Sequence, residues 1–216
     1  AIGHAENATL NPSDPRYKWE DKGCIVNSVP GRNEWNAIDP NVIVDGDGTP
    51  WMTFGSFWNG IKLVKLTTDM NAVAQPEEWY SLCRRMNNAL PDSLPGDDAV
   101  EAPFIYHHSG YYYLFVSFDY CCRGMKSNYK IAIGRSQNIK GPYLDRDGKD
   151  MLQGGGSILL EGDHNTYAAV GHCSVYDFSG QTYLFAHGYE IHDNGMPHLV
   201  KRELKWTDEG WPIIIP

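Results

Sequence analysis

Two acidic residues stand in sequence contexts that suit proton transfer. Glu101 opens the segment EAPFI, shortly before the apolar stretch YYYLFVSF, and Asp39 ends the segment NAID. Carboxylates are rarely buried without a partner, and burial favours the protonated form of a carboxyl group. Glu101 could therefore be an acid that donates a proton or a hydrogen-bonded residue at a strand end. Asp39 could be a functional acid or the start of an Asx-type turn before proline.

Both acids precede copies of one repeated pattern. Each copy is a glycine, two variable residues, an aromatic residue and four mostly apolar residues, and the three copies are GTPWMTFG, GYYYLFVS and GQTYLFAH. Asp39 and Glu101 each lie nine residues before the glycine of their copy, and His172 lies eight residues before its glycine. The spacing from Asp39 to Glu101 is 62 residues (101 − 39), and the spacing from Glu101 to His172 is 71 (172 − 101).

Repeats of this length, built from short apolar strands and Gly, Asp or Asn turns, are typical of four-stranded propeller blades. The sequence predicts one all-β domain over 1–216, with blades at 36–100, 101–170 and 171–216 and the outer strands of an earlier blade at 1–35. The first strand of each blade lines the axis, so Asp39, Glu101 and His172 are expected to meet there. A closed propeller needs at least about four blades, so we expect an incomplete one.

Composition excludes several classes of partner. The 216 residues carry 18 Lys and Arg against 27 Asp and Glu, a formal net charge of −9, which disfavours nucleic acid and anionic membranes. Aromatic residues make up 12% of the chain and would suit either sugar rings or a β-sheet core. The five cysteines show neither a CxxC pair nor zinc-type spacing, so we expect buried thiols rather than a disulfide scaffold or a zinc site.

The motifs together resemble those of one enzyme family. NAIDPNV, FGSFW, EAPFI, CCRG, IGRS…GPYLD and GHCSVY are similar, in order and spacing, to segments of the arabinanases of glycoside hydrolase family 43. The resemblance extends over nearly all 216 residues. It implies a five-bladed β-propeller, hydrolysis with inversion, and α-1,5-linked L-arabinan as substrate. It also implies a secreted or periplasmic location, although no signal peptide is visible.

The resemblance assigns roles to individual positions. Glu101 matches the general acid, and Asp39 matches the carboxylate that orients the acid and modulates its protonation. His172 matches an axial histidine that faces a central, largely water-coordinated calcium ion, and Cys173 stands where the family often has asparagine. The positions that match the lining of the sugar subsites are Asn36, Ala37, Ile38, Ser56, Phe57 and Trp58.

The family's general base, an aspartate of its first blade, has no match in this sequence. The only Asp-Pro besides Asp39-Pro40 is Asp14-Pro15, in SDPRYKW, where the family has an ordinary turn. The leading hypothesis is an endo-acting arabinan hydrolase whose base and first blade are not in this chain. Two alternatives stay open: a sugar-binding propeller fragment with impaired catalysis, and an exo-acting arabinofuranosidase or xylosidase of the same family.

An open propeller exposes a sheet edge and an apolar flank, and both favour association. The sequence therefore predicts a homo-oligomer or a complementing chain that supplies the missing blade. The resemblance implies an arabinan or arabino-oligosaccharide substrate.

Overall fold

The computed structural model describes residues 1–85 and 99–215, and within these ranges the chain is mostly β-strand. Residues 86–98, which fall in the predicted blade at 36–100, lie outside the described residues. The strands are β1 (Ile2–Glu6), β2 (Glu20–Val26), β3 (Asn41–Val44), β4 (Pro50–Phe54), β5 (Ile61–Lys65), β6 (Trp79–Cys83), β7 (Val100–His108), β8 (Tyr111–Phe118), β9 (Lys130–Ser136), β10 (Ser157–Leu160), β11 (Tyr167–Phe178), β12 (Gln181–Glu190), β13 (Met196–Trp206) and β14 (Pro212–Ile215). Three short 3-10 helices, η1 (Gly124–Lys126), η2 (Met151–Gln153) and η3 (Ile191–Asp193), interrupt them.

These strands form one two-stranded and three four-stranded antiparallel sheets. Strands β1 and β2 pair with each other, and β3–β6, β7–β10 and β11–β14 each form a meander in which neighbours in sequence are neighbours in the sheet. This is the strand order of propeller blades. The predicted all-β propeller architecture, with about three blades and strands of another, is confirmed.

Alternation along the central strands explains how the blades stack. On β8, Leu114 and Val116 pack toward the β3–β6 sheet, while Tyr113 and Phe115 pack toward the β11–β14 sheet. Because successive side chains of a strand point to opposite faces, one strand contributes to two hydrophobic cores. A third core joins the β1–β2 pair to the outer face of the β3–β6 sheet. The four sheets therefore stack in chain order.

The pairing of the innermost strands corrects the register predicted from the glycines. In the second and third blades the pairing slips by one residue between Glu101 and Phe104 and between Gly171 and Ser174. Ala102 (φ 53°) and His172 (φ 53°) have left-handed backbone at these bulges, and Asp39 (φ 56°), just before β3, has the same backbone conformation.

Asp39 is thus equivalent to Ala102 and His172, one position beyond the equivalent of Glu101. The count from the glycines misses this because the first hairpin turn is longer. Five residues separate the paired Val44 and Pro50, whereas four separate the corresponding pair, His107 and Tyr112.

The last sheet has an apolar face that no other described sheet covers. Leu184 and Ala186 of β12 pack on the neighbouring blade, so the alternating residues Tyr183 and Phe185 point to the opposite face. On that face Phe178 is 54% exposed and Leu199 is 75% exposed. Within the described ranges, no helix has the length and apolar character needed to cross a membrane.

Candidate active site

Glu101 is held between two hydroxyl groups from different parts of the chain. Its carboxyl is 9% exposed. The Ser56 hydroxyl donates to Oε2 at 2.8 Å, and the Tyr129 hydroxyl donates to Oε1 at 2.7 Å. A backbone bridge between Ser56 and Glu101 joins the two blades at the same point. Burial raises the pKa of the Tyr129 phenol well above its usual range, with the Glu101 charge as the next cause, so Tyr129 stays a donor.

Asp39 lies beside Glu101, just before β3, and contacts the innermost strand of the neighbouring blade. Its Oδ2 accepts a hydrogen bond from the backbone N–H of Ala102 at 3.3 Å. Burial raises the pKa of Asp39; the nearby His172 opposes this shift, and the Glu101 charge adds to it. The two carboxyl groups therefore disfavour simultaneous ionisation.

His172 completes the group from the last blade. Its backbone N–H donates to the Ser117 hydroxyl at 2.8 Å, and its ring lies 6.3 Å from the ring of His187. Burial lowers the pKa of His187, the charge of His172 lowers it further, and Glu101 opposes the shift. The structure thus brings together Asp39, Glu101 and His172, which lie 133 residues apart at most (172 − 39).

The segment that leads into Asp39 presents a mixture of buried and exposed groups. Asn36 is half-buried, and its carbonyl accepts from the Ile38 N–H at 3.0 Å. Ala37 is fully buried, and its N–H donates to the Ser28 hydroxyl at 2.9 Å. Ile38 is 40% exposed. Of these three side chains, that of Ile38 is the most available to a ligand.

The other predicted subsite segment follows strand β4. Ser56 is buried, and its hydroxyl is directed to Glu101. Phe57 and Trp58 are both half-buried and both have left-handed backbone, with φ of 54° and 38°. The Phe57 ring lies 6.0 Å from the ring of Tyr120. Two aromatic side chains therefore lie next in sequence to the residue that fixes Glu101, where they could contact a sugar ring.

Sequence reasoning did not single out Tyr129, Ser117 or His187. Ser117 and His187 end the second and third copies of the repeated pattern, but the pattern alone does not distinguish a functional side chain from an ordinary strand residue. Tyr129 stands outside the pattern, and a tyrosine before an apolar strand is ordinary in a β-sheet core. One local feature that relates to Tyr129 is Gly171, because the Tyr129 ring packs closely against its backbone. A Cβ added to Gly171, the residue before His172, would contact Cδ1 of Tyr129 at 2.0 Å.

The described side chains offer little for metal coordination. Calcium takes six to eight oxygen ligands, and within the part of the chain that the structure describes no group of three His, Cys, Asp or Glu side chains is placed to hold a metal ion. This donor set does not fit an ion coordinated by side chains. A largely water-coordinated ion, as the resemblance implies, would have His172 as its one side-chain contact among the described residues. A cavity of about 550 Å³ elsewhere, lined by Tyr111, Arg135 and Trp211, contains none of the predicted site residues.

Comparison with known proteins identifies the family. Residues 3–212 match the model of the glycosyl hydrolases family 43. The chain belongs to this family. The resemblance carried by the sequence motifs is thereby confirmed.

Named relatives in this family act on arabinose-containing chains. The chain is 48% identical over 215 residues to the extracellular exo-alpha-(1->5)-L-arabinofuranosidase ArbA of Cellvibrio japonicus (strain Ueda107), an alignment covering 99% of this chain and 62% of that protein. It is 43% identical over 212 residues to the extracellular endo-alpha-(1->5)-L-arabinanase 1 of Bacillus subtilis (strain 168), covering 98% of this chain and 59% of that protein.

A solved structure agrees with this match. The Cellvibrio cellulosa alpha-L-arabinanase complexed with arabinohexaose superimposes with a TM-score of 0.92 at 46% identity, covering 100% of this chain and 68% of that chain. The chain spans about three fifths of the length of the curated relatives it matches.

The hydrogen bond from Tyr129 to Glu101 gives a testable consequence for stability. Replacing Tyr129 by Phe leaves a buried carboxyl oxygen without its donor, so we expect a loss of about 1–3 kcal/mol in the free energy of unfolding. In a Glu101→Ala background the same substitution should cost much less, since the acceptor is gone. Urea unfolding of the four proteins measures this coupling.

Tyr143→Phe is the matched control for this cycle. Tyr143 is equally buried, but its hydroxyl donates to the carbonyl of Ile139 at 2.9 Å. Its replacement should cost the same with and without Glu101. Equal costs of Tyr129→Phe in the two backgrounds would contradict a specific contact with Glu101.

Proposed function

We propose that this chain forms the acid-bearing part of an inverting hydrolase for α-1,5-linked L-arabinan. The observation that carries the proposal is the placement of Glu101: a largely buried carboxyl, fixed at both oxygens by Ser56 and Tyr129 and adjacent to the carboxyl of Asp39. A positioned acid of this kind protonates the departing glycosidic oxygen. The relatives that act on arabinan and its oligomers support this substrate class.

In this proposal Asp39 acts through Glu101. The two carboxyl groups disfavour simultaneous ionisation, so the pair retains a proton that can pass to the leaving oxygen. Burial raises the pKa of Asp39, while the nearby His172 and the backbone N–H of Ala102 favour its ionised form. The base that activates water is an aspartate of a blade that is not assigned in this chain.

The position of cleavage separates two candidates. We propose endo cleavage, in line with the named endo-acting relative. Sequence identity favours the exo-acting alternative, because this chain is 48% identical to the relative named as exo-acting and 43% identical to the relative named as endo-acting. Early products distinguish them: internal cleavage gives a ladder of oligomers, and end cleavage gives one small product from the start.

We also propose export from the cytoplasm, since both relatives are named extracellular. A cytoplasmic location in fractionated cells would contradict this.

Glu101→Gln tests the role of the acid. We expect hydrolysis of linear arabinan to fall by about 10²–10⁴-fold. Hydrolysis of 4-nitrophenyl arabinofuranoside should fall far less, because a nitrophenolate departs without protonation. Rates on both substrates are measured by reducing-sugar and absorbance assays.

The exposed Glu161 provides a control for this test, and Glu161→Gln should leave both rates unchanged. Equal losses on the two substrates in Glu101→Gln would refute the assignment of Glu101 as the acid. If the unmutated chain binds arabino-oligosaccharides in calorimetry but releases no product, the sugar-binding alternative holds instead.

We propose that a hydrated calcium ion lies at the axis, with His172 as its one side-chain ligand among the described residues. The ion would supply a fixed positive charge beside the carboxyl pair. We expect calcium to raise the melting temperature of the EDTA-treated protein and to have no such effect on His172→Ala. His192→Ala, a substitution of an exposed histidine, should respond as the unmutated protein does. A calcium response retained in His172→Ala would contradict the proposal.

We propose that the chain associates with a second copy through the open face of the β11–β14 sheet. The exposed Phe178 and Leu199 on that face support this, since contiguous exposed apolar surface favours association. Light scattering should give a mass above the 24.3 kDa of one chain, and Leu199→Lys should lower it. A monodisperse monomer at micromolar concentration would contradict this proposal.

A further inference from the structure

Two adjacent cysteines lie beside the carboxyl pair and have no role in the proposed hydrolysis. The sulfurs of Cys121 and Cys122 are 2.7 Å apart, about 0.7 Å more than a disulfide bond. Cys122 is exposed and Cys121 is half-buried, whereas Cys83 and Cys173 are buried. The expectation of buried thiols is therefore wrong for Cys122 and Cys24, which are exposed, and for Cys121, which is half-buried. The pair is accessible because it lies in a surface turn after β8.

Contacts on both sides hold the turn that brings the thiols together. Cys122 has left-handed backbone with φ 61°, and its N–H donates to the Tyr189 hydroxyl at 2.7 Å. The N–H of Tyr120 donates to the Asn128 side chain at 3.0 Å, and the N–H of Arg123 donates to the Ser127 hydroxyl at 3.0 Å. The backbone is thus anchored immediately before and after the pair.

The inner thiol faces the acid. Burial, the hydrogen bond with Cys122 and the charge of Glu101 raise the pKa of Cys121 to about 12, and a direct side-chain contact with Glu101 contributes as well. Cys121 is therefore a neutral S–H group at physiological pH, and it lies against the carboxyl that Ser56 and Tyr129 hold. A chemical change at this sulfur alters the surroundings of Glu101 directly.

We propose that Cys121 and Cys122 are a redox-active dithiol that closes to a vicinal disulfide in exchange with a low-molecular-weight disulfide, and so changes the sulfur group that lies near Glu101. The inference does not depend on arabinan hydrolysis. Adjacent Cα atoms are 3.80 Å apart, below the usual 4.4–6.8 Å of disulfides. The closed ring is therefore strained and readily reduced, as suits a reversible modification rather than a permanent cross-link.

The exchange balances in two steps. The exposed Cys122 thiolate attacks one sulfur of the external disulfide, which forms a mixed disulfide and releases one thiolate. The Cys121 sulfur, after losing its proton to water, attacks the Cys122 sulfur and releases the second thiolate. The two cysteines lose two protons and two electrons in total, and the external disulfide takes them up and becomes two thiols.

Mass spectrometry tests the proposal without any assay of hydrolysis. The protein is incubated with oxidised glutathione or with dithiothreitol, denatured, alkylated with iodoacetamide and digested with trypsin. Because no Lys or Arg lies between residues 86 and 122, Cys121 and Cys122 share the peptide 86–123, and the other three cysteines fall in separate peptides. After oxidised glutathione we expect this peptide to be unalkylated and lighter by two hydrogen atoms, and after dithiothreitol to carry two alkyl groups.

Variants show whether the pair acts as a unit. Cys121→Ser should leave Cys122 with one bound glutathione, because no second thiol can displace it. Cys24→Ser, which removes the other exposed thiol, should close the ring as the unmutated protein does. Two alkylated cysteines after oxidation, or glutathione retained in place of the ring, would overturn the proposal.

Discussion

The site depends on a single carboxyl group that is fixed by its own blade and by the preceding one. Glu101 lies on the innermost strand of the β7–β10 sheet, Ser56 reaches it from the preceding blade, and Tyr129 contacts it from the position just before β9 of the same sheet. Gly171 of the next blade leaves room for the phenol ring. A buried carboxyl with unpaired oxygens would be costly. The arrangement of blades around Glu101 therefore satisfies the acid and positions it in the same set of contacts.

The stacking of sheets explains why these contacts are reproducible. Strand β8 is buried on both faces, so the sheets on either side are packed against a common surface. Protein interiors are close-packed and resist small displacements. Side chains at the ends of neighbouring innermost strands, such as Asp39 and Glu101, consequently keep a fixed relation although they are distant in sequence.

Much of this organisation could be predicted from the sequence, and the omissions have physical causes. The glycine–aromatic repeats gave the propeller and the meeting of Asp39 with Glu101, because repeated local patterns fold into equivalent local structures. The repeats could not give the register, since one extra residue in the first hairpin turn shifts Asp39 to the position of Ala102. Tyr129 contacts Glu101 from 28 residues further along the chain, and such a contact leaves no pattern in the local sequence. The exposure of Cys122 likewise depends on the conformation of a surface turn, and a pair of adjacent cysteines does not predict that conformation.

The left-handed residues at matching positions of the three blades extend this point to the chemistry that such a fold can host. One backbone kink carries a carboxylate at Asp39, a methyl group at Ala102 and an imidazole at His172, so its shape does not depend on the group it displays. Reactive groups can thus be exchanged among the blades with little rearrangement of the main chain. A carboxylate, a methyl group and an imidazole thus occupy equivalent positions around one centre on the same backbone conformation.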